Sequence, residues 1–227
     1  ILGLAGQLGS GTSEILGAMA GSTKTRGGKL HYKDEEFLPT RPKDTIRRGI
    51  AYCSEDRKHD GLFLGRPIME NLSAPSLETI SSKGFLNGAK ELSSTTENAV
   101  KFTVDPKRLP QEAGVLSGGN QQKVALGKWL SISPDVILVN EPTRGVDVGA
   151  RAEIYQILRD LADQGAAIVV ASTDIQEITN LPDRIVSFYR GVQIGELQLD
   201  EMTSANILEQ ITDPFHEAGI AVSEKAS

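Results

Sequence analysis

Leu116-Ser117-Gly118-Gly119-Asn120-Gln121-Gln122-Lys123 has the residue types and spacing of a helix start built to face an anion. Ser117 can cap the backbone donors of the turn that follows it. Gly118 and Gly119 carry no Cβ, so another surface can come close to their N–H groups. A helix beginning near Asn120 points its positive end the same way. By residue types alone, the stretch is equally a glycine loop that merely starts a helix.

Three more polar clusters stand where apolar runs end. Gly6-Gln7-Leu8-Gly9-Ser10-Gly11-Thr12-Ser13 spaces Gly6 and Gly11 as a phosphate loop does. Its N–H groups from Gly9 onward can cradle phosphate oxygens without any side chain, and Ser13 can offer a hydroxyl to Mg²⁺. Thr12 stands where the motif wants lysine, which removes a fixed positive charge from the phosphates. Asn140-Glu141 follows Val136-Ile137-Leu138-Val139. Glu141 is the best candidate for a general base, and Asn140 offers an oxygen without a charge. A carboxylate before Pro142 can also simply cap a turn. Thr173-Asp174 follows Ala167–Ala171, and Thr173 can hydrogen-bond a phosphate but cannot become a cation.

These residues need strands and helices to hold them. Ile1–Ala5, Ile50–Cys53, Val136–Val139 and Ala167–Ala171 read as buried strands. Glu14–Met19, Gln121–Leu130 and Ala150–Gln164 read as helices. In the last, Ile154, Ile157, Leu158 and Leu161 fall at i, i+3, i+4 and i+7. Arg184–Tyr189 and Gln193–Leu199 form a strand pair turning at Arg190-Gly191, and Thr203–Ile211 closes with a helix. Thr23–Asp44 reads as loops and short strands. Ile68, Met69 and Leu72 start a weak helical pattern, Ser73–Ser94 is poorly patterned and Glu97–Phe102 reads as helical, so about 61–115 is expected as a mostly helical insertion. The core then comprises 1–60 and 116–212, and 213–227 is a flexible tail. Alternating strands and helices give a mainly parallel sheet, whose ligands bind beyond the carboxyl ends of its strands.

Composition bounds the function classes. In 227 residues, 24 Lys and Arg stand against 30 Asp and Glu, a net charge of −6. That balance argues against sequence-independent nucleic-acid binding, which needs clustered cations. Arg47, Arg48, Arg57 and Lys58 form a local basic patch, read here as a solvated face. Cys53 is the single cysteine, so no intrachain disulfide forms and a reducing cytoplasm fits. It reads as a small strand residue. No apolar run approaches the roughly 20 residues a membrane span needs. The opening at Ile1 has no basic leader and reads as the middle of a longer chain, cut before a core strand.

Leu116–Lys123 resembles the signature motif of ABC-type ATP-binding cassettes. Its Asn-Gln-Gln-Lys ending is similar to the sugar-importer branch. Glu141-Pro142-Thr143-Arg144-Gly145-Val146-Asp147 resembles the D-loop of ribose-type importers, although Asp147 can also cap the helix after it. Glu55-Asp56-Arg57 resembles the Q-loop region of their second cassettes, where Glu55 stands near the usual glutamine and the segment senses the membrane subunit. From residue types alone it is equally a charged surface loop. The resemblance runs from Gly6 to about Leu199 and implies an α/β, P-loop NTPase-like ABC cassette. Such a fold has a mainly parallel core sheet, peripheral antiparallel strands and a helical insertion.

The resemblance also implies roles. ATP and Mg²⁺ are the expected cofactors. Gly6, Gly9, Ser10, Gly11, Thr12 and Ser13 would bind nucleotide, and Ser13, Glu55 and Asn140 would face Mg²⁺. Glu141 and Thr173 would be catalytic. Ser117, Gly118, Gly119 and Gln121 would act on a partner's ATP. Thr12, Asn140 and Thr173 depart from the family's Lys, Asp and His, each removing electrostatic help. The second cassette of two-cassette sugar importers often lacks that lysine. This chain is therefore expected to be such a second cassette with a degenerate site of its own. The family's adenine-stacking aromatic would precede Ile1. Expected partners are an N-terminal or other second cassette and transmembrane permease subunits, at the cytoplasmic face of a bacterial-type membrane. Neither nucleic acid nor direct sugar binding is expected. The competing readings are a non-hydrolysing regulatory nucleotide module and, behind it, a nucleic-acid-associated cassette.

Overall fold

The computed structural model describes residues 1–25, 27–212 and 214. In chain order the first elements are β1 (Leu2–Gly6), α1 (Thr12–Met19), β2 (Leu30–Tyr32), β3 (Glu35–Phe37), α2 (Pro42–Ile46) and β4 (Ile50–Cys53). Next come α3 (Ile68–Ser73), α4 (Leu77–Ile80), β5 (Ser81–Ser82), β6 (Phe85–Leu86), α5 (Gly88–Lys101) and α6 (Gly118–Gly127). The chain closes with β7 (Val136–Asn140), α7 (Val148–Asp163), β8 (Ala167–Ser172), α8 (Ile175–Asn180), β9 (Arg184–Tyr189), β10 (Val192–Gln198) and α9 (Ser204–Thr212). The expected tail at 213–227 lies outside the described residues except for Pro214. Two compact units emerge, 1–15 with 169–227, and 16–168.

In the first unit β1 lies between β8 and β9 and runs parallel to both, while β10 pairs antiparallel with β9. The short apolar run at Leu2–Ala5 can sit centrally because both its faces are covered. Ala5, Ile178, Ile185, Leu197, Met202, Ile207 and Ile211 form its core. Arg190 (φ 47) and Gly191 (φ 81) make the expected β9–β10 turn, with the double positive φ that suits the twist of a two-residue hairpin.

In the second unit β4 pairs parallel with β7, from Ile50–Val136 to Cys53–Val139. Helix α7 buries Ile154, Ile157, Leu158 and Leu161, the stripe its spacing predicts. Helices α3, α5 and α6 pack together around Leu72, Phe102 and Val124. Asn71 holds the loop before α3 shut. Its Oδ1 accepts from the Phe63 N–H at 2.8 Å, and its amide donates to the Phe63 and Pro67 carbonyls.

The section 61–115 departs from expectation in two ways. It contains a hairpin, β5–β6, turned through Lys83 and Gly84 at positive φ. Helix α5 starts at Gly88 rather than near Glu97, capped by the Asn87 side chain on Lys90 N. Arg57 is a further correction. It is 9% exposed and takes no part in the solvated basic face. Arg47 and Arg48 do lie on the surface, paired with Glu78 and Glu35.

Candidate functional site

In the first unit, β1 runs directly into Gly6–Ser13. The loop turns by a Ser10 N–H bond to the Gln7 carbonyl at 2.9 Å. Gly9 (φ 80) and Gly11 (φ 99) supply backbone conformations that side chains resist. Gly9 is open on its outer side, and Leu8 beside it is 94% exposed. Ser10 and Thr12 face inward instead. They are 4% and 5% exposed, and their hydroxyls lie 3.3 Å apart. The Ser10 hydroxyl occupies the space a Cβ on Gly6 would need. Both side chains therefore brace the loop rather than face a ligand, and the Ser10 N–H is spent on the turn itself. The β9–β10 turn supports it from the side, where Gly191 N–H donates to the Ser10 carbonyl at 2.8 Å. The β1–β8 register ends at Ala5–Ser172, so Gly6, still paired with Phe188, and Thr173 lie at the same end of these strands.

In the second unit, β7 ends at Asn140, which is 2% exposed and shares a hydrogen bond with Tyr52. Burial raises the Tyr52 phenol above its ordinary pKa, with the Asn140 bond acting against it. Glu141 follows at φ 51, an uncommon conformation for a residue with a Cβ, and opens a turn closed by Arg144 N–H on its carbonyl. Backbone strain at a residue beyond a strand's carboxyl end accords with a positioned functional group.

The signature helix α6 starts at Gly118, with Ser117 as N-cap accepting from Asn120 N–H at 3.4 Å. Why both glycines are needed is now visible. A methyl on Gly118 would lie 2.8 Å from the Gly145 carbonyl oxygen, and one on Gly119 would lie 2.6 Å from the Ala150 Cβ. The surface that approaches them belongs to the turn and helix start at 145–150 of the same chain. Asp147 caps α7 by accepting from Ala150 N–H at 3.0 Å. Gln121 does not face outward as expected. It is 6% exposed, and its amide donates inward to the Leu116 carbonyl at 3.2 Å. Asn120, one position earlier, is half-buried and remains on the open side.

Glu55 accepts from Arg144 Nη1 at 2.7 Å, which ties the 54–61 segment to the D-loop-like turn. Arg57 was read from its sequence only within the solvated basic patch and the Glu55-Asp56-Arg57 resemblance. Its guanidinium donates to the Arg144 carbonyl at 2.6 Å and the Gly145 carbonyl at 3.2 Å. No local pattern separates it from the exposed arginines nearby; only its place after Glu55-Asp56 hinted at a role.

Among the described residues, no group of three or more His, Cys, Asp and Glu is placed to hold a metal. Of the three expected Mg²⁺ oxygens, that of Glu55 is engaged by Arg144. Asn140, expected to face Mg²⁺, is instead buried against Tyr52, while the Ser13 hydroxyl is of the hard oxygen kind that Mg²⁺ accepts alongside phosphate and water.

The ABC transporter family model matches residues 1–144. The chain belongs to the ABC transporter family. The cassette is 39% identical over 212 residues to a ribose import ATP-binding protein RbsA of Streptococcus agalactiae, covering 93% of this chain and 43% of that one. It is 43% identical over 209 residues to the protein of the same name in a Ruegeria species, covering 92% and 41%. The cassette thus spans less than half the length of these relatives. Two solved structures share its fold. A nucleotide-free ATP-binding cassette from an ABC transporter superposes with a TM-score of 0.78 at 19% identity, over 94% of this chain and 85% of that one. A dimeric cassette in a post-hydrolysis state, bound to ADP and Pi, gives 0.75 at 22% identity, over 88% and 85%. The α/β fold with a mainly parallel sheet and peripheral antiparallel strands is that of ABC cassettes.

Proposed function

We propose that this cassette binds ATP with Mg²⁺ and couples its hydrolysis to import of a ribose-class sugar, as the second cassette of a two-cassette ATP-binding protein. The observation that carries the reading is the signature packed through Gly118 and Gly119 onto residues 145–150. That packing leaves Ser117 exposed at the N-terminus of α6, where a partner's γ-phosphate can meet an oriented helix dipole. In this reading Ser117, Gly118 and Gly119 act on the partner's ATP, and Gly6–Ser13 holds this chain's own nucleotide. Glu141 orients and deprotonates the attacking water, Thr173 contacts the γ-phosphate, and Ser13 faces Mg²⁺. The site at Gly6–Ser13 is degenerate because Thr12, turned inward, supplies no cation to the transition state.

Core 1–60 with 116–212 and helical section 61–115 are the proposed divisions. A groove of about 520 Å³ in that section, lined by Phe63, Met69, Leu77 and Leu86, offers a permease subunit an apolar surface at the cytoplasmic face. No helix among the described residues is long and apolar enough to cross a membrane itself. Sugar recognition is left to other components.

The test is nucleotide binding and hydrolysis with and without the partner cassette. The expected result is binding by this chain alone, negligible turnover alone, and turnover when paired. Glu141→Gln is expected to slow hydrolysis at Gly6–Ser13 by about 10²-fold or more while nucleotide binding persists. A regulatory, non-hydrolysing module is favoured by the buried Thr12. It becomes the better reading if pairing yields no turnover.

A further inference from the structure

The 54–61 segment is fastened to the signature region by two largely buried cations. Arg57 opens a single π-helical turn, Arg57–Gly61, started by Asp56, whose carboxylate accepts from Lys58 and His59 N–H. Its guanidinium is buried, yet its two bonds go to backbone carbonyls, those of Arg144 and Gly145. Its Nε is enclosed with no hydrogen-bond partner among the described residues. At the other end of the turn, Lys128 donates to the Gly61 carbonyl at 2.5 Å, from the segment that continues α6. Burial depresses the pKa of both cations, with only partial compensation, for Arg57 from Asp56.

A buried cation that ends on carbonyls gains less than one paired with a carboxylate, and an apolar side chain of similar volume often serves stability as well. What an apolar side chain lacks is the planar fork that fixes two consecutive carbonyls at once. Those carbonyls matter because Gly145 O lies 2.8 Å from where a Gly118 Cβ would be, and Arg57 Nη2 lies 3.0 Å from the same point. Arg57, Gly145 and Gly118 therefore meet at one place. Gly145 is held at φ +66, a conformation the fork can maintain.

We propose that Arg57 is a positioning residue for the signature: its guanidinium fixes the Arg144 and Gly145 carbonyls against Gly118 and so sets how Ser117–Gly119 are presented to the partner's ATP. The functional half of this claim rests on the proposed function. The geometric half does not. Because Glu55 also grips Arg144, a displacement of the 54–61 segment is transmitted to the signature through these two contacts.

The test uses Arg57→Met and Arg57→Lys, in this chain and in the chain paired with its complementary cassette. Met keeps the volume and loses the fork; Lys keeps the charge and reaches one carbonyl. In the pair, kcat is expected to fall about tenfold for Met and about threefold for Lys, with KM changed by less than about twofold. Nucleotide affinity at Gly6–Ser13 is expected to stay within about twofold in both variants. In this chain alone, amide exchange at Gly118–Asn120 and Gly145–Asp147 is expected to rise about tenfold while β9 and α9 keep their protection. Exchange that rises everywhere alike, or nowhere, overturns the proposal, as does kcat unchanged in both variants. If Met does not fold, Lys carries each of these readouts. If the wild-type pair hydrolyses no ATP, the proposed function falls, and the exchange pattern alone decides whether Arg57 positions the signature.

Discussion

Gly119→Ala tests the close packing of the signature on the α7 start. The added methyl would lie 2.6 Å from the Ala150 Cβ. Methyl carbons rest about 3.5–4.0 Å apart, so α6 and α7 must separate locally by about 1 Å. Overpacking of that kind costs about 1–3 kcal/mol. Replacing glycine by alanine inside a helix returns about 0.5–1 kcal/mol, and less this near the helix end. The net expectation is a destabilisation of about 1–2 kcal/mol, read as a lower urea midpoint with unchanged m-value. Ala150→Gly removes the opposing methyl at a cost of about 0.5–1 kcal/mol. In the double variant the clash is gone, so a coupling energy equal to that clash, about 1–3 kcal/mol, is expected in the cycle. Gly65, with nothing within 4 Å of its Cβ position, is the control. Its change to alanine should be neutral or stabilise by about 0.4–1 kcal/mol. Additive single variants, or a Gly119→Ala midpoint at or above the wild-type one, would refute the packing argument.

Cys53 and Asn71 give two more tests. The Cys53 thiol is buried, donates to the Ala125 carbonyl at 3.6 Å, and is pushed from 9.0 up to about 12, chiefly by burial. A thiol reagent at pH 8 should leave it unmodified in the folded chain and label it promptly in denaturant. The unfolded thiol ionises first, so this contribution to stability is intact below pH 9 and is lost as pH rises through about 12; Cys53→Ala should flatten that decline in urea midpoints measured across the range. Asn71 is 1% exposed and closes the 63–67 loop with several hydrogen bonds, so Asn71→Leu should cost about 1–3 kcal/mol by stranding the Phe63 N–H, the Phe63 carbonyl keeping its bond from the Arg66 N–H. An unshifted melting curve for the Asn71→Leu variant would show that loop to be held by something else.

The strands β1, β4, β7 and β8 were legible because their runs are short, apolar and bounded by turn residues. Helix α7 was legible because its buried stripe is apolar at helical spacing. Helix α5 was legible only at its end, because its buried face carries Glu91, Thr95 and Asn98 beside Ala99. Glu91 is satisfied there by the Ser73 hydroxyl at 2.7 Å, and Thr95 by the Glu91 carbonyl at 2.7 Å. A polar stripe carries no hydrophobic period to detect. The β5–β6 hairpin escaped for a simpler reason, since two-residue strands are too short to show alternation.

At the site, the sequence determined what depends on near neighbours: glycine positions in the phosphate loop, the Ser117 and Asp147 caps, Glu141 at the end of a strand, and the missing lysine at Thr12. These follow from local backbone rules and motif spacing. The tertiary structure decided which side chains face outward. It turned Ser10, Thr12 and Gln121 inward, and placed Gly118 and Gly119 against residues 145–150. It buried Arg57 on carbonyls 87 and 88 positions away. An arginine in a charged stretch has the same composition and spacing whether water or a carbonyl receives its protons, so only the long-range fold could separate the two.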